Sequence, residues 1–172
     1  MTKPLILVGH NNLSRSTFSA RLLAGIDKNA FQIARLAEHP HTRGFDPAEE
    51  MVRIAAAERL IVLFPIHWYG PPSTLVRWTE DALLEKKGSP SFTALKGKPV
   101  QFIVSTGAPE HEYRDGGSNA RPVIDYLAGL MMTFRYFGAD VKTPLVYHAT
   151  WQLDDNQIMD IGLSLVNRCV LS

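Results

Sequence analysis

Short apolar runs alternate along this chain with longer segments in which apolar residues recur every three or four positions. The short runs predict five strands, over residues 4–9, 31–36, 59–64, 100–105 and 144–148. The longer segments predict five helices, over residues 16–26, 47–58, 72–85, 121–138 and 154–170. Residues 86–99, rich in Lys, Gly and Pro, are predicted to form an exposed connection. The alternation indicates one α/β domain over residues 1–172, with a parallel sheet covered by helices on both faces.

Polar and aromatic residues follow three of the predicted strands directly. They occupy segments 10–19, 65–69 and 105–113. In open parallel sheets, ligands bind in a crevice beyond the carboxyl ends of the strands. We therefore expect these three loops to converge on one crevice.

The first loop carries several hydroxyl groups just before a predicted helix, in the run Ser14-Arg-Ser-Thr-Phe-Ser19. Hydroxyls, free backbone N–H groups and the positive end of a helix dipole together favour a phosphate. An equally good reading is that Ser14 or Ser16 only caps the helix. The loop has neither a GxGxxG turn nor a GxxxxGK[ST] motif, which disfavours a Rossmann cradle or a P-loop.

The second loop places two large aromatic residues, Trp68 and Tyr69, on a segment constrained by Pro and Gly. Such side chains are costly to expose unless they line a cavity or contact a partner. The alternative is that they pack against the helices as part of the core.

The third loop contains Gly107, which allows a ligand to approach the backbone closely. Tyr113 and His111 could supply polar groups above that ligand. His111 lies between two glutamates, however, and is better read as a solvated loop histidine. His39 and His41 lack an acidic partner at ligand spacing, so no metal site is predicted.

Charge and composition exclude several classes of protein. The 172 residues include 18 Lys and Arg against 17 Asp and Glu, with no basic run, which argues against binding to nucleic acid. The single cysteine excludes an intrachain disulfide, and no apolar run approaches the roughly 20 residues that cross a bilayer. We expect a cytoplasmic protein that does not insert into the membrane, although it could lie peripherally at the inner face.

The chain offers little acid–base or nucleophilic chemistry of its own. It has no G-x-S-x-G elbow and no H-E-x-x-H motif. A cofactor would therefore have to carry any reaction.

Taken together, these segments resemble a known family. Residues 64–78, Phe-Pro-Ile-His-Trp-Tyr-Gly-Pro-Pro-Ser-Thr-Leu-Val-Arg-Trp, are similar to the FPLxWYxxPxxLKxW signature of the flavodoxin-like NAD(P)H:quinone oxidoreductases. That family includes DT-diaphorase and the ancillary proteins of glutathione-gated potassium efflux systems. The first loop and the run Ser105-Thr-Gly-Ala108, followed by Tyr113, resemble the family's other two loops.

The resemblance implies a flavodoxin-like fold with strand order 2-1-3-4-5. It also implies a bound flavin, FMN rather than FAD, that takes hydride from NAD(P)H and passes two electrons to a quinone in a ping-pong scheme. Tyr113 would meet the charge that develops on the flavin, as the catalytic residue. The implied cofactor-binding residues are His10, Ser16, Thr17, Phe18, Ser19, Pro65, Ile66, His67, Trp68, Tyr69, Ser105, Thr106, Gly107 and Ala108. Members of the family are homodimers with the active site at the subunit interface, so a homodimer is expected here.

Three positions depart from the family pattern. Ala108 replaces a glycine of the third loop, and Ser19 stands where Asn is common. Asn119 occupies the position at which some members place a histidine six residues after the tyrosine, which puts their His–Tyr proton relay in doubt for this chain.

Two other functions stay open at this level. The chain could serve mainly as a regulatory subunit of a potassium efflux transporter, with oxidoreductase activity as a secondary property. It could also be a one-electron carrier of the flavodoxin type, although such carriers are usually strongly acidic and this chain carries a formal net charge of +1.

Overall fold

The described residues form a central parallel sheet. The computed structural model describes residues 2–39, 44–83 and 90–170. The strands are β1 (Leu5–Val8), β2 (Gln32–Arg35), β3 (Leu60–Pro65), β4 (Pro99–Ser105), β5 (Asp140–Val141) and β6 (Leu145–Tyr147). They run in the order β2-β1-β3-β4-β5, with β6 also paired to β4. The flavodoxin-like topology and the strand order 2-1-3-4-5 expected from the sequence are confirmed.

The edge of the sheet next to β4 holds one more strand than the pattern predicts. The run predicted over residues 144–148 forms β6 beside the end of β4, and the shorter β5 pairs with its start. Between them, the side-chain amide of Gln101 donates to the Thr143 carbonyl at 2.7 Å, and Pro144 has no N–H to continue the ladder. A strand of two residues is too short to show a periodicity, which is why β5 escaped prediction.

Helices cover both faces of the sheet. They are α1 (Ser19–Gly25), α2 (Pro47–Ala56), α3 (Ser73–Leu83), α4 (Pro90–Leu95), α5 (Val123–Tyr136) and α6 (Asp155–Val170). Side chains alternate along β3, so Val62 and Phe64 join a core with α2 to α5, while Ile61 and Leu63 join one with α1 and α6. Each such buried side chain stabilises the fold by about 1.5–3 kcal/mol. Across the described segments, no helix is both long enough and apolar enough to cross a membrane.

Local side-chain bonds set where two helices begin. The Asp46 carboxylate accepts the N–H groups of Ala48 and Glu49 at 2.8 and 3.3 Å and caps α2. At α6, Asp154 and Gln157 exchange bonds, each side chain accepting the other's backbone N–H at 2.8–2.9 Å. Both starts agree with the sequence prediction to within one residue.

Two predicted segments differ from the structure. The helix predicted from residue 16 begins at Ser19, because the backbone of Ser16 is extended, with φ −76° and ψ 128°, after the 3₁₀ turn Leu13–Arg15. The exposed connection predicted over residues 86–99 is wrong for its second half, where α4 forms and buries Leu95 completely. A six-residue helix is too short to show helical periodicity, and its burial depends on contact with α2. Residues 84–89, including the predicted helix end at Glu85, lie outside the described residues, as does His41.

Gly9 brings the end of β1 against α3 and gives a stability prediction. A Cβ atom at this position would lie 2.9 Å from the Leu75 Cβ and 3.1 Å from its Cδ2. We expect Gly9→Ala to lower the free energy of unfolding in urea by about 1–3 kcal/mol, the usual cost of overpacking. Gly25→Ala is the matched control, since the Cβ there meets only an ordinary 3.9 Å contact. Equal stability of the two variants would contradict the close approach.

Candidate active site

The three loops that follow β1, β3 and β4 meet at one crevice of about 240 Å³. Most of the predicted site residues line it. They are His10, Ser16, Thr17, Phe18, Pro65, Ile66, His67, Ser105, Thr106 and Gly107. The remaining predicted residues, Ser19, Trp68, Tyr69, Ala108 and Tyr113, lie next to the lining rather than in it.

The first loop wraps one end of the crevice and leaves one hydroxyl unpaired. The Ser16 Oγ accepts the Ala20 N–H at 3.3 Å and so satisfies one free N–H in the first turn of α1, although Phe18 and not a serine occupies the N-cap position. Ser19 is buried, and its Oγ has no partner among the described residues. An unmade bond on a buried hydroxyl costs about 1–3 kcal/mol. Because that cost disappears when a ligand supplies an acceptor, the loop suits an oxygen-rich group.

Phe18 contributes to this loop through the core. Its ring is buried and lies 5.3 Å, centroid to centroid, from the Tyr147 ring of β6. The ring therefore anchors the loop to the sheet at the edge of the crevice.

Two histidines, His10 and His67, lie next to each other in the lining of the crevice. The His10 and His67 rings lie 6.0 Å apart at 73°, and the His10 Nδ1 accepts the Asn12 N–H at 3.1 Å. Burial lowers the pKa of His10, and the neighbouring His67 lowers it further, while the Asn12 bond opposes them. His10 is thus neutral near pH 7 and leaves its Nε2 free to serve a ligand.

The second loop folds into a strained reverse turn. His67 and Gly70 exchange backbone bonds of 2.9 and 3.1 Å, and the two central residues, Trp68 and Tyr69, have φ values of 47° and 65°. Bulky aromatic residues rarely adopt this left-handed region, at a cost of about 1–3 kcal/mol each. Trp68 is 94% exposed, so the alternative that it packs in the core is excluded.

Tyr69, the second central residue of the turn, contacts helix α5. It is about half exposed, and its ring lies 5.2 Å from the Tyr126 ring of α5. The turn therefore projects one fully exposed and one half-exposed aromatic side chain beside the crevice mouth.

The third loop carries a buried polar network and an open glycine. Thr106 is buried and its Oγ1 contacts the Ala108 carbonyl at 2.8 Å and the His148 Nδ1 at 3.1 Å. A Cβ on Gly107 would meet no atom within 4 Å, so this stretch of backbone opens onto free space. That is the arrangement a ligand needs to approach the main chain.

Tyr113 lies beside the crevice lining, in contact with Thr106 and with the His148 ring at 5.4 Å. Burial raises the pKa of the Tyr113 phenol above its ordinary value, and the neighbouring Tyr69 and Tyr126 add to this, while a hydrogen bond with the Thr106 hydroxyl opposes it. The phenol is therefore protonated at neutral pH. His111, in contrast, is exposed and lies 3.3 Å from Glu112, as expected of a solvated loop histidine.

Sequence reasoning missed a fourth segment of the site. Thr150 and Trp151 also line the crevice, and the exposed Trp151 donates its Nε1–H to the Gly107 carbonyl at 2.9 Å. They follow β6, as the other loops follow their strands. Ligands bind beyond the carboxyl ends of parallel strands, so the polar and aromatic residues after residue 147 carry the same signal as the other three loops.

The comparison with known proteins places the chain in a family. A family model described as a flavodoxin-like fold matches residues 2–163. The chain belongs to this flavodoxin-like family. A relative from Bacillus subtilis (strain 168), the uncharacterized NAD(P)H oxidoreductase YrkL, is 26% identical over 170 residues, which cover 96% of each chain. KefF of Klebsiella pneumoniae (strain 342), an ancillary protein of the glutathione-regulated potassium-efflux system, is 30% identical over 114 residues, 66% of this chain and 63% of KefF.

A solved structure supports the same placement of this flavodoxin-like chain. The general stress protein 14 of Treponema denticola, in complex with FMN, is 28% identical and superposes with a TM-score of 0.84. The alignment covers 97% of this chain and 99% of that protein. The resemblance to NAD(P)H oxidoreductases and to the potassium-efflux ancillary proteins is thereby confirmed.

Proposed function

We propose that this chain is an FMN-dependent NAD(P)H oxidoreductase that reduces quinones by a ping-pong reaction. The observation that carries the proposal is the crevice itself, with the hydroxyl residues Ser16 and Thr17 in its lining and the open Gly107 backbone beside them, and with an unpaired buried Ser19 hydroxyl next to the lining. The FMN complex of the Treponema denticola protein and the name of the YrkL relative support it.

The residues at the two ends suit the two ends of FMN. Ser16, Thr17 and Ser19 would receive the phosphate, since the Ser19 hydroxyl gains the acceptor it lacks. Pro65, Ile66 and His67 would bind one part of the flavin ring, with residues 105–108 at another of its edges. Bound FMN would accept hydride from NAD(P)H and pass two electrons to the quinone. The chain's part is to hold the ring and keep the Tyr113 phenol protonated beside it.

The proposal is tested by absorbance of the purified protein after incubation with FMN. We expect flavin to remain bound through gel filtration, to bleach under anaerobic NAD(P)H and to recover on addition of a quinone. A protein that binds no flavin overturns the whole proposal. A flavin that bleaches but is not reoxidised by quinone overturns the choice of acceptor alone.

We further propose a homodimer formed through α5. Ile124, Ala128, Met132 and Tyr136 recur every four residues and form an exposed apolar stripe on this helix. The exposed Trp68 belongs to the turn that contacts α5 through Tyr69 and Tyr126. An exposed apolar stripe on a helix is typical of a surface that a second copy covers, and an exposed tryptophan is costly unless a partner covers it.

Disruption of that stripe gives a prediction. We expect Met132→Glu to convert a dimer into a monomer in light scattering coupled to gel filtration, because the interface would have to bury an unpaired charge. Val52→Glu on α2 is the matched control, as Val52 is an exposed apolar residue outside the stripe. A monomeric wild-type protein, or a dimer that survives Met132→Glu, would contradict the interface.

The similarity to KefF favours a second candidate function, a regulatory subunit of a potassium efflux transporter. In that case the chain would co-purify with a transporter and change its gating. A gating effect that persists in a variant without turnover would separate regulation from catalysis.

A further inference from the structure

Two short segments at the crevice are joined by hydrogen bonds. Residues 149–151, which follow β6, donate two backbone N–H groups, at 3.1 and 3.2 Å, to carbonyl oxygens of residues 106–108. The first of these donors, Ala149, has a φ of 46°, in a region that residues other than glycine rarely adopt. Such a backbone persists only where its surroundings hold it, so the two segments are joined firmly at the end of β6.

A side chain supplies the third bond between these segments. The Trp151 Nε1–H donates to the Gly107 carbonyl at 2.9 Å, although Trp151 is 63% exposed. Among the described residues, Trp151 is the one donor to this carbonyl, whereas backbone N–H groups serve the carbonyls on either side. Glycine lacks the Cβ that restricts φ and ψ, so its peptide would otherwise be the most mobile of the three. The indole therefore fixes the rotation of the peptide that follows Gly107.

The fixed peptides carry free donors on their opposite sides. In a planar trans peptide, the C=O and N–H groups point in opposite directions. The carbonyls of Thr106 and Gly107 are bonded to residues 149–151, so the N–H groups of Gly107 and Ala108 point away from that segment. In the part of the chain that the structure describes, neither N–H has an acceptor. Two adjacent free donors suit a ligand edge that carries acceptor atoms.

We propose that Trp151 is a positioning residue whose indole N–H fixes the Gly107 peptide and so holds the Gly107 and Ala108 N–H groups ready for the flavin ring. The inference rests on the proposed function, in which residues 105–108 lie at an edge of the bound ring. A donor that is already oriented loses less freedom on binding, so a fixed peptide raises the affinity for the ring. Trp151 produces this effect through the Gly107 carbonyl.

The first test needs no flavin and no turnover. The chain has three tryptophans, and the Trp151 indole signal of ¹⁵N-labelled, flavin-free protein is assigned by its loss in Trp151→Phe. We expect its indole proton to exchange with water at least about fivefold more slowly than that of N-acetyltryptophanamide, because it is hydrogen-bonded. The Gly107 carbonyl carbon should shift upfield in Trp151→Phe, since it loses its donor. An indole that exchanges as fast as the model compound would overturn the proposal.

The second test locates the effect along the flavin by fluorescence titration with FMN and with riboflavin, which lacks the phosphate. Trp151→Phe keeps an aromatic ring but has no N–H, and we expect it to weaken FMN binding about three- to tenfold, the effect of one lost hydrogen bond. Riboflavin binding should weaken by the same factor, because the change lies at the ring. Ser19→Ala should weaken FMN binding alone, because the Ser19 hydroxyl lies at the proposed phosphate end. Gln152→Ala, on the exposed neighbour of Trp151, is the control and should change neither.

Three outcomes would contradict the positioning role. They are an unchanged FMN affinity in Trp151→Phe, a loss of affinity for FMN but not for riboflavin, and a loss accompanied by a lower melting temperature of the flavin-free variant, which would assign Trp151 to the fold. A wild-type protein that binds neither flavin would instead overturn the proposed function. The exchange measurement would then still decide whether Trp151 holds Gly107.

Discussion

Replacing Gly107 with leucine is expected to lower the affinity for FMN roughly 100-fold while leaving the flavin-free fold intact. The Gly107 Cβ position faces free space, so a leucine side chain would leave the backbone into the open crevice and fill the place where the ring would approach. Overpacking of this kind costs about 1–3 kcal/mol, and each 1.4 kcal/mol is about tenfold in affinity. Fluorescence titration of the flavin-free protein with FMN measures the change.

A smaller substitution at Gly107 and the melting temperature of the flavin-free protein serve as controls. Gly107→Ala adds one methyl group and should weaken FMN binding by less than the leucine does. Neither variant should change the melting temperature of the flavin-free protein, because no neighbour is displaced. Undiminished FMN affinity in Gly107→Leu would remove this loop from the binding site.

Replacing Tyr113 with phenylalanine is expected to slow reduction of bound FMN by NAD(P)H about 100-fold, the usual effect of losing one donor to developing charge. FMN affinity should stay within about threefold, because the ring and its packing against His148 remain. Stopped-flow absorbance measures the rate. His111→Asn, on an exposed side chain of the same loop, is the control. An unchanged rate in Tyr113→Phe would take this residue out of the mechanism.

The pH dependence of the same step follows from the Tyr113 phenol. Burial raises its pKa above the ordinary value of 10.0, and only the protonated form donates. The contribution of Tyr113 is therefore constant from about pH 6 to about pH 9 and is lost as the pH rises through the raised pKa. The difference between wild type and Tyr113→Phe should shrink only at the alkaline end of the profile.

The longer strands of the sheet could be predicted from the sequence because each has a hydrophobic pattern of its own, which does not depend on its tertiary contacts. The run over residues 59–64 is short, rich in β-branched residues and apolar at almost every position, which is typical of a strand buried on both faces. The three loops that follow such strands must share one edge of a parallel sheet, so their convergence followed as well. The short β5 and α4 could not be predicted, because they hold their place through contacts with β4 and α2 rather than through a pattern of their own.

The site was predictable as a location but not as a set of contacts. Motif resemblance identified Trp68, yet only the structure shows that its turn takes positive φ values and leaves the indole exposed. His148 and Thr106 lie 42 positions apart, and nothing in their separate surroundings links them. Their contact exists because β6 pairs with the end of β4.

By itself, then, the sequence determined the α/β class, the longer strands of the central sheet and the edge at which three of the loops meet, since hydrophobic periodicity and strand direction are local properties. The tertiary structure alone decided which polar atoms in the crevice are satisfied, which hydroxyl lacks a partner and which histidine reaches Tyr113. Those depend on distances of about 3 Å between residues far apart in sequence, and such distances are fixed only when the strands pair and the core packs.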